Sequence, residues 1–443
     1  MRRVSVLEYA DFAVIEGHPS KSINKIAEIP EKISIDFAYF GVLGFKVAQN
    51  LSNCEQIMKC LIPNIGSTSF KFRVLEMPQE TVLAQGRVER IGQPGGTCAD
   101  YPAAIAQCLA EIAGPGKPLG SIAEIDAVGF KAVHAGPHNT PQIIDEAFLA
   151  AMEEFRFMAP AHNPPYVAAM RAFQDLLPGV PLVAVIETGP YRFMSEAATT
   201  YAVPYEWRTE FGMRRYGFHG ASHRAASERA RAILGKEEVR HISCHLGGSS
   251  SIASFKNGVA QDTSFGTSPQ SGLPQNNRVG DIDSFAVLHM MKKLNIGPDE
   301  MGTLLGSQSG LAGISGKSGD LRDLEEAAAT GDARSRLAID VFTRAIRHYV
   351  GAFLLELGGL DILTFSGGIG ENSVEVRAAV LKGLEPFGIV MDPELNAQLH
   401  GEGPVSSAAS KVLVTVVPAN EELVVARETA AVVEKAKGLG ARG

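Results

Sequence analysis

A strand–turn–strand segment is the sequence feature that most constrains the fold of this chain. Residues 61–73, LIPNIGSTSFKFR, combine an apolar run, a turn of small residues and a run of alternating apolar and polar positions. This pattern predicts two strands joined by a tight turn. The turn carries the Asn64 amide, three hydroxyls and Gly66, which permits close approach of the backbone to a ligand, and Lys71 adds a positive charge. The segment is suited to hold a phosphate, although most Gly/Ser turns only reverse the chain.

The same pattern occurs again roughly 180 residues later. Residues 241–256, HISCHLGGSSSIASFK, place two glycines and three serines after an apolar run, and Asn257-Gly258 then predicts a two-residue hairpin. A repeat at this distance is too long for a solenoid and indicates two duplicated α/β domains. Two phosphate-binding hairpins facing one cleft would hold a nucleotide from both sides.

Composition excludes several classes of partner. The 443 residues leave room for two or three domains, and a formal net charge of −8 argues against nucleic acid or an anionic membrane as the main partner. The five cysteines are scattered and unpaired in spacing, as expected for buried thiols in a reducing compartment. Neither a run of 18 apolar residues nor a signal peptide is found, which predicts a cytoplasmic protein.

Residues 1–57 fit the rest of the sequence poorly. They precede the first recognisable strand and offer no motif, and Met58 stands directly before that strand. Two explanations remain open: a start codon assigned too far upstream, so that the working protein begins at Met58, or a genuine N-terminal extension of unknown role.

Two further strands end in polar residues. Residues 125–133 form a buried-strand pattern that runs into His134, and residues 182–186 form another that is followed by Glu187. Ligands bind at the carboxyl ends of strands in open α/β sheets. Glu187 could coordinate magnesium or orient an attacking group, or simply cap a helix, and His162 lies between two prolines either as a cleft residue or as a structural histidine.

The most specific string is residues 214–223, RRYGFHGASH. It resembles a nearly identical segment of acetate kinases, which carry Thr where this chain has Ala221. Further segments resemble that family, in the family's order: 262–264 (DTS), 278–283 (RVGDID), 366–372 (SGGIGEN) and 420–423 (NEEL). The resemblance runs from about Lys59 to the end of the chain.

The resemblance implies a fold and an activity. The fold is α/β, with two duplicated ribonuclease H-like (actin-like ATPase) domains and an interdomain nucleotide cleft, as in the superfamily of acetate kinase, sugar kinases, actin and heat-shock ATPases. The first domain would comprise residues 58–187 with the C-terminal helix 421–443, and the second residues 188–420. The implied reaction is reversible transfer of a phosphoryl group from ATP to a short-chain carboxylate. Magnesium is the implied cofactor, and family members are commonly homodimers.

The resemblance also implies roles for individual residues. The implied catalytic residues are Lys131, Glu187, His219 and Arg278. Acid-binding residues would be Lys131, Val133, Ala161, Phe218 and Pro269, and the metal would be held by Asn64 and Glu421. Nucleotide-binding residues would be Ser69, Lys71, His245, Gly247, Gly248, Ser249, Asp320, Arg322, Gly367, Gly368, Ile369, Gly370 and Asn372. In the segment after the predicted strand 361–365, the glycines would let a nucleotide lie against the backbone before a helix begins near Ser373.

Several further positions depart from the family pattern, and four of them bear on activity. Lys131 replaces a usual arginine, so a two-pronged grip on a carboxylate becomes a point charge. Glu187 replaces an aspartate, and a displacement of about 1 Å can cost about 10²-fold in rate. Gly248 replaces an asparagine and removes one donor, for which the neighbouring serine hydroxyls could partly substitute. Ala161 replaces a leucine, which opens the acyl pocket and predicts a preference shifted from acetate toward propionate, butyrate or a larger acid.

Three hypotheses follow from these motifs and departures. The leading one is a magnesium- and ATP-dependent carboxylate kinase. The second is a kinase for a different acceptor on the same scaffold, favoured by Lys131, Ala161 and Gly248. The third is a nucleotide-binding protein with little turnover, which signals by domain closure.

Overall fold

The computed structural model of the chain describes residues 57–66, 69–160 and 162–440. The predicted N-terminal extension, except Ile57, and the pocket residue Ala161 lie outside the described residues. The strands are β1 (Met58–Ile65), β2 (Ser69–Met77), β3 (Thr81–Glu89), β4 (Ala127–Ala132), β5 (Gln142–Ile143), β6 (Leu182–Ile186), β7 (Arg240–Leu246), β8 (Ser250–Lys256), β9 (Val259–Thr263), β10 (Ile362–Ser366), β11 (Gly403–Pro404) and β12 (Leu413–Val416).

The helices are α1 (Tyr101–Ile112), α2 (Glu146–Glu154), α3 (Asn163–Leu176), α4 (Glu196–Thr199), α5 (Glu206–Phe211), α6 (Gly220–Leu234), α7 (Ser284–Leu294), α8 (Pro298–Ser307), α9 (Gly310–Ser315), α10 (Leu321–Ala329), α11 (Ala333–Glu356), α12 (Gly367–Asn372), α13 (Val374–Leu381), α14 (Pro393–Gln398) and α15 (Glu421–Gly440). Among the described residues, no helix is long and apolar enough to cross a membrane.

The strands form two six-stranded sheets with the same topology. The first has the order β3-β2-β1-β4-β6-β5, and the second, read from its far edge, has the order β9-β8-β7-β10-β12-β11. Adding six to each strand number of the first sheet gives the second. In both sheets the first three strands form an antiparallel meander, three central strands are parallel and the last edge strand is antiparallel. The predicted duplication of an α/β unit is therefore confirmed.

The two predicted strand–turn–strand segments occupy equivalent places in these sheets. The first is the β1–β2 hairpin, where Ile65 pairs with Phe70, and the second is the β7–β8 hairpin, where Leu246 pairs with Ser250. The next turn, at Asn257-Gly258, has positive φ at both residues, which is the type I′ geometry that this dipeptide favours.

The first sheet is covered by helices on both faces. Residues of β4 and β6 are almost all buried, as expected for parallel strands at the centre of an α/β sheet. Helices α1, α2 and α3 pack on one face and α15 on the other. Helix α15 approaches very closely at Gly129 of β4, where a Cβ atom would stand 2.1 Å from the Thr429 hydroxyl.

The second sheet has α6 on one face and α11 on the other. Helix α6 also packs against α15, and an ion pair between Arg224 and Glu428 joins these two helices. The chain thus returns at its C-terminal end to the first sheet, while the exact domain limits at residues 187/188 and 420/421 stay a prediction.

Two local expectations can be compared with the structure. A helix does begin near Ser373, since α13 starts at Val374 with Ser373 as its N-cap, but the glycine segment before it is also helical, because α12 begins at Gly367. The expectation of buried thiols holds for the cysteines that the structure describes: Cys60, Cys98, Cys108 and Cys244 are buried and form no disulfide.

Candidate functional site

A cavity of about 590 Å³ lies at the carboxyl ends of the parallel strands of both sheets. Open α/β sheets place their ligands at this edge. The cavity brings together most of the predicted site residues: Asn64, Lys131, Val133, Glu187, Phe218, His219, His245, Gly247, Gly248, Ser249, Pro269, Arg278, Gly367, Gly368 and Glu421.

Other predicted nucleotide-binding residues do not line this cavity: Ser69, Lys71, Asp320, Arg322, Ile369, Gly370 and Asn372. Lys71 is exposed and lies directly opposite Asn64 in the β1–β2 pairing, so both side chains occupy the same face of the sheet. Arg322 forms an ion pair with Asp320, the N-cap of α10. The Asn372 side chain donates a hydrogen bond to the Gly368 carbonyl at 2.8 Å. The roles of these residues in binding a nucleotide stay predictions.

The Lys131 ammonium group forms a largely buried ion pair with the Glu421 carboxylate, although 290 positions separate the two residues. Burial alone would lower the pKa of Lys131, but the negative charges of Glu421 and Glu187 outweigh it and raise that pKa. The lysine therefore stays protonated, and its positive charge interacts with the carboxylates of both Glu421 and Glu187 at the cavity wall.

The Glu187 side chain is buried, and its Oε1 atom has no hydrogen-bond partner among the described residues. Burial raises the pKa of Glu187 to about 7 and Glu421 adds to the rise, whereas Lys131 and the backbone N–H groups of Ala221 and Gly220 oppose it. Those N–H groups belong to the start of α6, where the helix dipole favours a negative charge. A Cβ atom at Gly220 would stand 2.1 Å from the Glu187 carbonyl oxygen, so only glycine fits there.

His219 and His245 also line the cavity, and His223 lies behind them. His219 precedes α6 in a left-handed conformation (φ +56°), and its Nδ1 lies 2.8 Å from the Ser251 hydroxyl. The same hydroxyl lies 2.8 Å from Nε2 of His223, and the His245 ring stands 4.3 Å from the His219 ring. Burial and the neighbouring histidines lower the pKa of both His219 and His223 well below the ordinary value. These rings are therefore neutral at physiological pH.

Arg278 contacts the turn between β7 and β8. Its Nη1 lies 3.3 Å from the Ser249 hydroxyl and 3.2 Å from Oε1 of Gln275, and the Ser249 hydroxyl itself donates to Gln275. Burial lowers the pKa of Arg278, yet a guanidinium remains charged in proteins. Within the part of the chain that the structure describes, Arg278 contacts no carboxylate, so its charge is available to an anionic ligand.

The sequence did not reveal what lies beside Gly248. The neighbouring hydroxyls that were expected to replace its missing side chain are already engaged, Ser249 with Gln275 and Ser250 with the Gly247 backbone. The Asn276 amide instead occupies this place, with its Nδ2 atom 3.3 Å from the position of a Cβ on Gly248. Only the fold brings Asn276 to this turn.

An apolar wall adjoins these polar groups. Val133, Ala159, Phe218 and Phe265 form a buried cluster, in which the two phenylalanine rings meet edge to face at 5.7 Å. Val133 and Phe218 line the cavity together with Pro269, so the predicted acid-binding residues within the described part do converge.

Two further residues of the cavity wall were not identified from the sequence. Glu371 accepts the backbone N–H groups of Gly367 and Ala419 at 2.9 and 3.0 Å, and thereby ties together the chain segments that follow β10 and β12. The Tyr166 hydroxyl accepts the backbone N–H of Ile65 at 3.3 Å. The bond from Ala419 to Glu371 and the bond from Ile65 to Tyr166 join residues distant in sequence, and no local pattern indicates such contacts.

Comparison with known proteins agrees with these motifs. The model of the Acetokinase family matches residues 59–427. An acetate kinase of Geobacillus kaustophilus is 42% identical over 388 residues, covering 84% of this chain and 98% of that protein. The crystal structure of Porphyromonas gingivalis acetate kinase has a TM-score of 0.78 at 37% identity, covering 85% of this chain and 100% of that one. A Francisella tularensis propionate kinase structure has a TM-score of 0.78 at 30% identity, covering 84% and 99%. The chain belongs to the acetokinase family.

Proposed function

We propose that the protein is an ATP-dependent kinase of short-chain carboxylates, which transfers the γ-phosphoryl group reversibly to give ADP and an acyl phosphate. The observation that carries this proposal is that one cavity brings Lys131, His219 and Arg278 together beside an apolar wall and both glycine turns. Family membership supports the same reaction.

The cavity contains what phosphoryl transfer requires of a protein, namely positioning and stabilisation of negative charge. A carboxylate oxygen of the acid attacks the γ-phosphorus, and the bond to the β–γ bridging oxygen of ATP breaks. Arg278, with no carboxylate partner among the described residues, and the neutral His219 donate to the transferring group. Lys131 holds the attacking acid near the apolar wall, and Glu187 helps to fix Lys131 and the start of α6.

The nucleotide would lie between the two sheets. Gly247 and Gly248 of the second turn and Gly368 at the start of α12 line the cavity, and the space into which a Gly368 Cβ would point is open. Glycines at these positions allow the phosphates and the adenosine to approach the backbone.

The cavity also fits Mg²⁺. Asn64, Glu421 and Glu422 offer oxygen donors, and a magnesium ion bound to nucleotide phosphates needs only one or two protein oxygens. The Glu187 Oε1 atom, buried without a partner in the described structure, marks the same region as short of positive charge. Bound magnesium would neutralise charge on the phosphates.

The preferred acid is proposed to be larger than acetate, because Ala161 replaces a leucine of the acyl pocket. The test is a hydroxylamine-trapping assay with MgATP and acids from formate to valerate. We expect hydroxamate formation with a higher kcat/KM for propionate or butyrate than for acetate, and an Ala161→Leu variant that shifts the preference back to acetate. A strong preference of the wild type for acetate would contradict the size assignment.

The same assay separates the proposed function from its alternatives. If no acid yields hydroxamate while ATP still binds, the carboxylate kinase is excluded, and a different acceptor or a nucleotide-binding role takes its place. Measuring ADP release with hydroxy and dicarboxylic acids in the panel distinguishes these two outcomes, because only a kinase releases ADP when its acceptor is added.

A homodimer is also proposed. Helix α7 buries none of its residues against the described chain, although Phe285, Leu288 and Leu294 are apolar and mostly exposed. The family resemblance implies a homodimer, and we infer that a second copy of the chain covers this face. Sedimentation should show a dimer that Phe285→Asp dissociates; a monomeric wild type would contradict it.

We further propose a cytoplasmic location, where ATP is available and unbridged thiols persist.

A further inference from the structure

We propose that a buried hydrogen-bond chain, Ser243–His223–Ser251, fixes the proton of His219 on Nε2, so that this ring donates an N–H to the transferring phosphoryl group. The proposal deepens the carboxylate kinase function and rests on it. The chain leads from the interior of the second sheet to the cavity wall: Ser243 lies on β7, His223 on α6 and Ser251 on β8.

The geometry of the chain is continuous. The Ser243 hydroxyl lies 2.8 Å from Nδ1 of His223, the His223 Nε2 lies 2.8 Å from the Ser251 hydroxyl, and that hydroxyl lies 2.8 Å from Nδ1 of His219. Ser243, His223 and Ser251 are all fully buried. Water therefore has no access to these three side chains, and they must satisfy one another.

Counting protons gives the chain a direction. Each hydroxyl has one hydrogen, and a neutral imidazole has one N–H and one acceptor nitrogen. When Ser243 donates to Nδ1 of His223, that ring carries its hydrogen on Nε2 and donates to Ser251. Ser251 then donates to Nδ1 of His219, so the remaining hydrogen of His219 lies on Nε2.

The reverse direction is disfavoured for two reasons. The Ser243 hydroxyl has no side-chain partner other than His223 in the described structure, so it would keep a buried O–H without an acceptor. In addition, Nε2 of His219 would present a lone pair to the anionic phosphoryl group and repel it. Burial, which lowers the pKa of His219 and His223, also keeps both rings in the neutral form that the counting assumes.

His219 is thereby a neutral donor whose orientation is set before the substrate arrives. No proton is transferred in this role; the N–H only forms a hydrogen bond that strengthens as charge develops on the phosphoryl oxygens. Ser251, His223 and Ser243 are positioning residues, since they act through His219.

The first test reads the tautomer directly. In the full chain labelled with ¹⁵N-histidine, the ring resonances show which nitrogen of His219 carries the hydrogen, with assignment by a His219→Gln variant. We expect the hydrogen on Nε2 in the wild type and a mixture of tautomers in Ser251→Ala. A wild-type His219 protonated on Nδ1 would overturn the proposal.

The second test is kinetic. Ser251→Ala should lower kcat about tenfold while the KM for the acid changes little, because one oriented donor is lost. The matched control is Ser254→Ala, on the same strand: its hydroxyl accepts the Asp262 N–H at 3.1 Å and forms no hydrogen bond with a histidine of the described residues, so kcat should not change. A folded Ser251→Ala with wild-type kcat would refute the role.

The His223 position provides a rescue. Glutamine offers a carbonyl acceptor and an NH₂ donor group and so can preserve the direction of the chain, whereas leucine cannot. We expect higher kcat for His223→Gln than for His223→Leu; equal kcat values in two folded variants would count against the proposal. If the wild type phosphorylates no acid, the proposed function fails, but the ¹⁵N measurement still decides the tautomer.

Discussion

At the scale of single residues, Lys131 shows where sequence reasoning reaches its limit. The sequence predicted a point charge in place of a two-pronged arginine, and the cavity does contain this lysine. The ion pair with Glu421 was not predictable, because the partner lies at the other end of the chain. Most of the candidate site could be predicted from motifs, whereas contacts made by Asn276, Glu371 and Tyr166 depend on the assembled fold.

Lys131→Met should destabilise the protein more than a comparable change at the surface. It leaves two carboxylates near each other without their cation, and removing one partner of a buried ion pair costs about 3 kcal/mol. The matched control is Lys317→Met, whose exposed pair with Asp332 is screened by solvent and should contribute much less to stability. Urea unfolding measures both, and equal losses would contradict the buried role.

At the scale of elements, strands were predicted better than the segments that follow them. Both hairpins and the buried strands have a clear sequence signal, namely alternating or continuous apolar runs beside turn residues. The glycines after β10 were expected to be open, yet they form α12. Gly367 turns with φ +76° against the Leu246 carbonyl, and Glu371 caps its N–H group. The contact with Leu246, and the second bond of Glu371 to the Ala419 N–H, come from distant parts of the chain, so the local sequence could not indicate them.

Gly220→Ala tests the junction between β6 and α6. The added methyl group would stand 2.1 Å from the Glu187 carbonyl oxygen and must push the two segments apart. We expect a loss of about 2 kcal/mol in stability, and about 100-fold lower kcat because Glu187 and His219 are displaced. Gly351→Ala in α11, where a Cβ meets open space, should instead stabilise by about 1 kcal/mol. Wild-type kcat in Gly220→Ala would refute this account.

At the scale of the whole molecule, buried histidines should make the fold sensitive to acid. Burial lowers the pKa of His134 and His162 to about 4 and of His241 to about 3, and His219 and His223 also lie well below the ordinary value. In the unfolded chain these rings bind protons below about pH 6.5. As the pH falls, these histidines bind protons in the unfolded state before they do so in the folded state. The free energy of unfolding therefore decreases with falling pH.

The loss at pH 5 should be about 2 kcal/mol for each buried histidine. Glu187 acts in the opposite direction, since its pKa is raised to about 7, and offsets roughly one histidine. Urea unfolding at pH 7 and pH 5 measures the net effect. The His241→Gln variant, at a residue outside the cavity lining, should reduce the number of protons taken up on unfolding by about one. Equal stability at both pH values would contradict the assignment.

The position of helix α15 at the end of the chain has a consequence for folding during synthesis. Its apolar side chains, among them Val425 and Ala426, cover the face of the first sheet formed by Cys60, Ile62 and Val183. A ribosome makes β1 to β6 first, then the entire second sheet, and only afterwards α15. One face of the nascent first sheet therefore stays uncovered while more than half of the chain is translated. The first sheet is thus synthesised before the second, but both of its faces are covered only after the second sheet has been made.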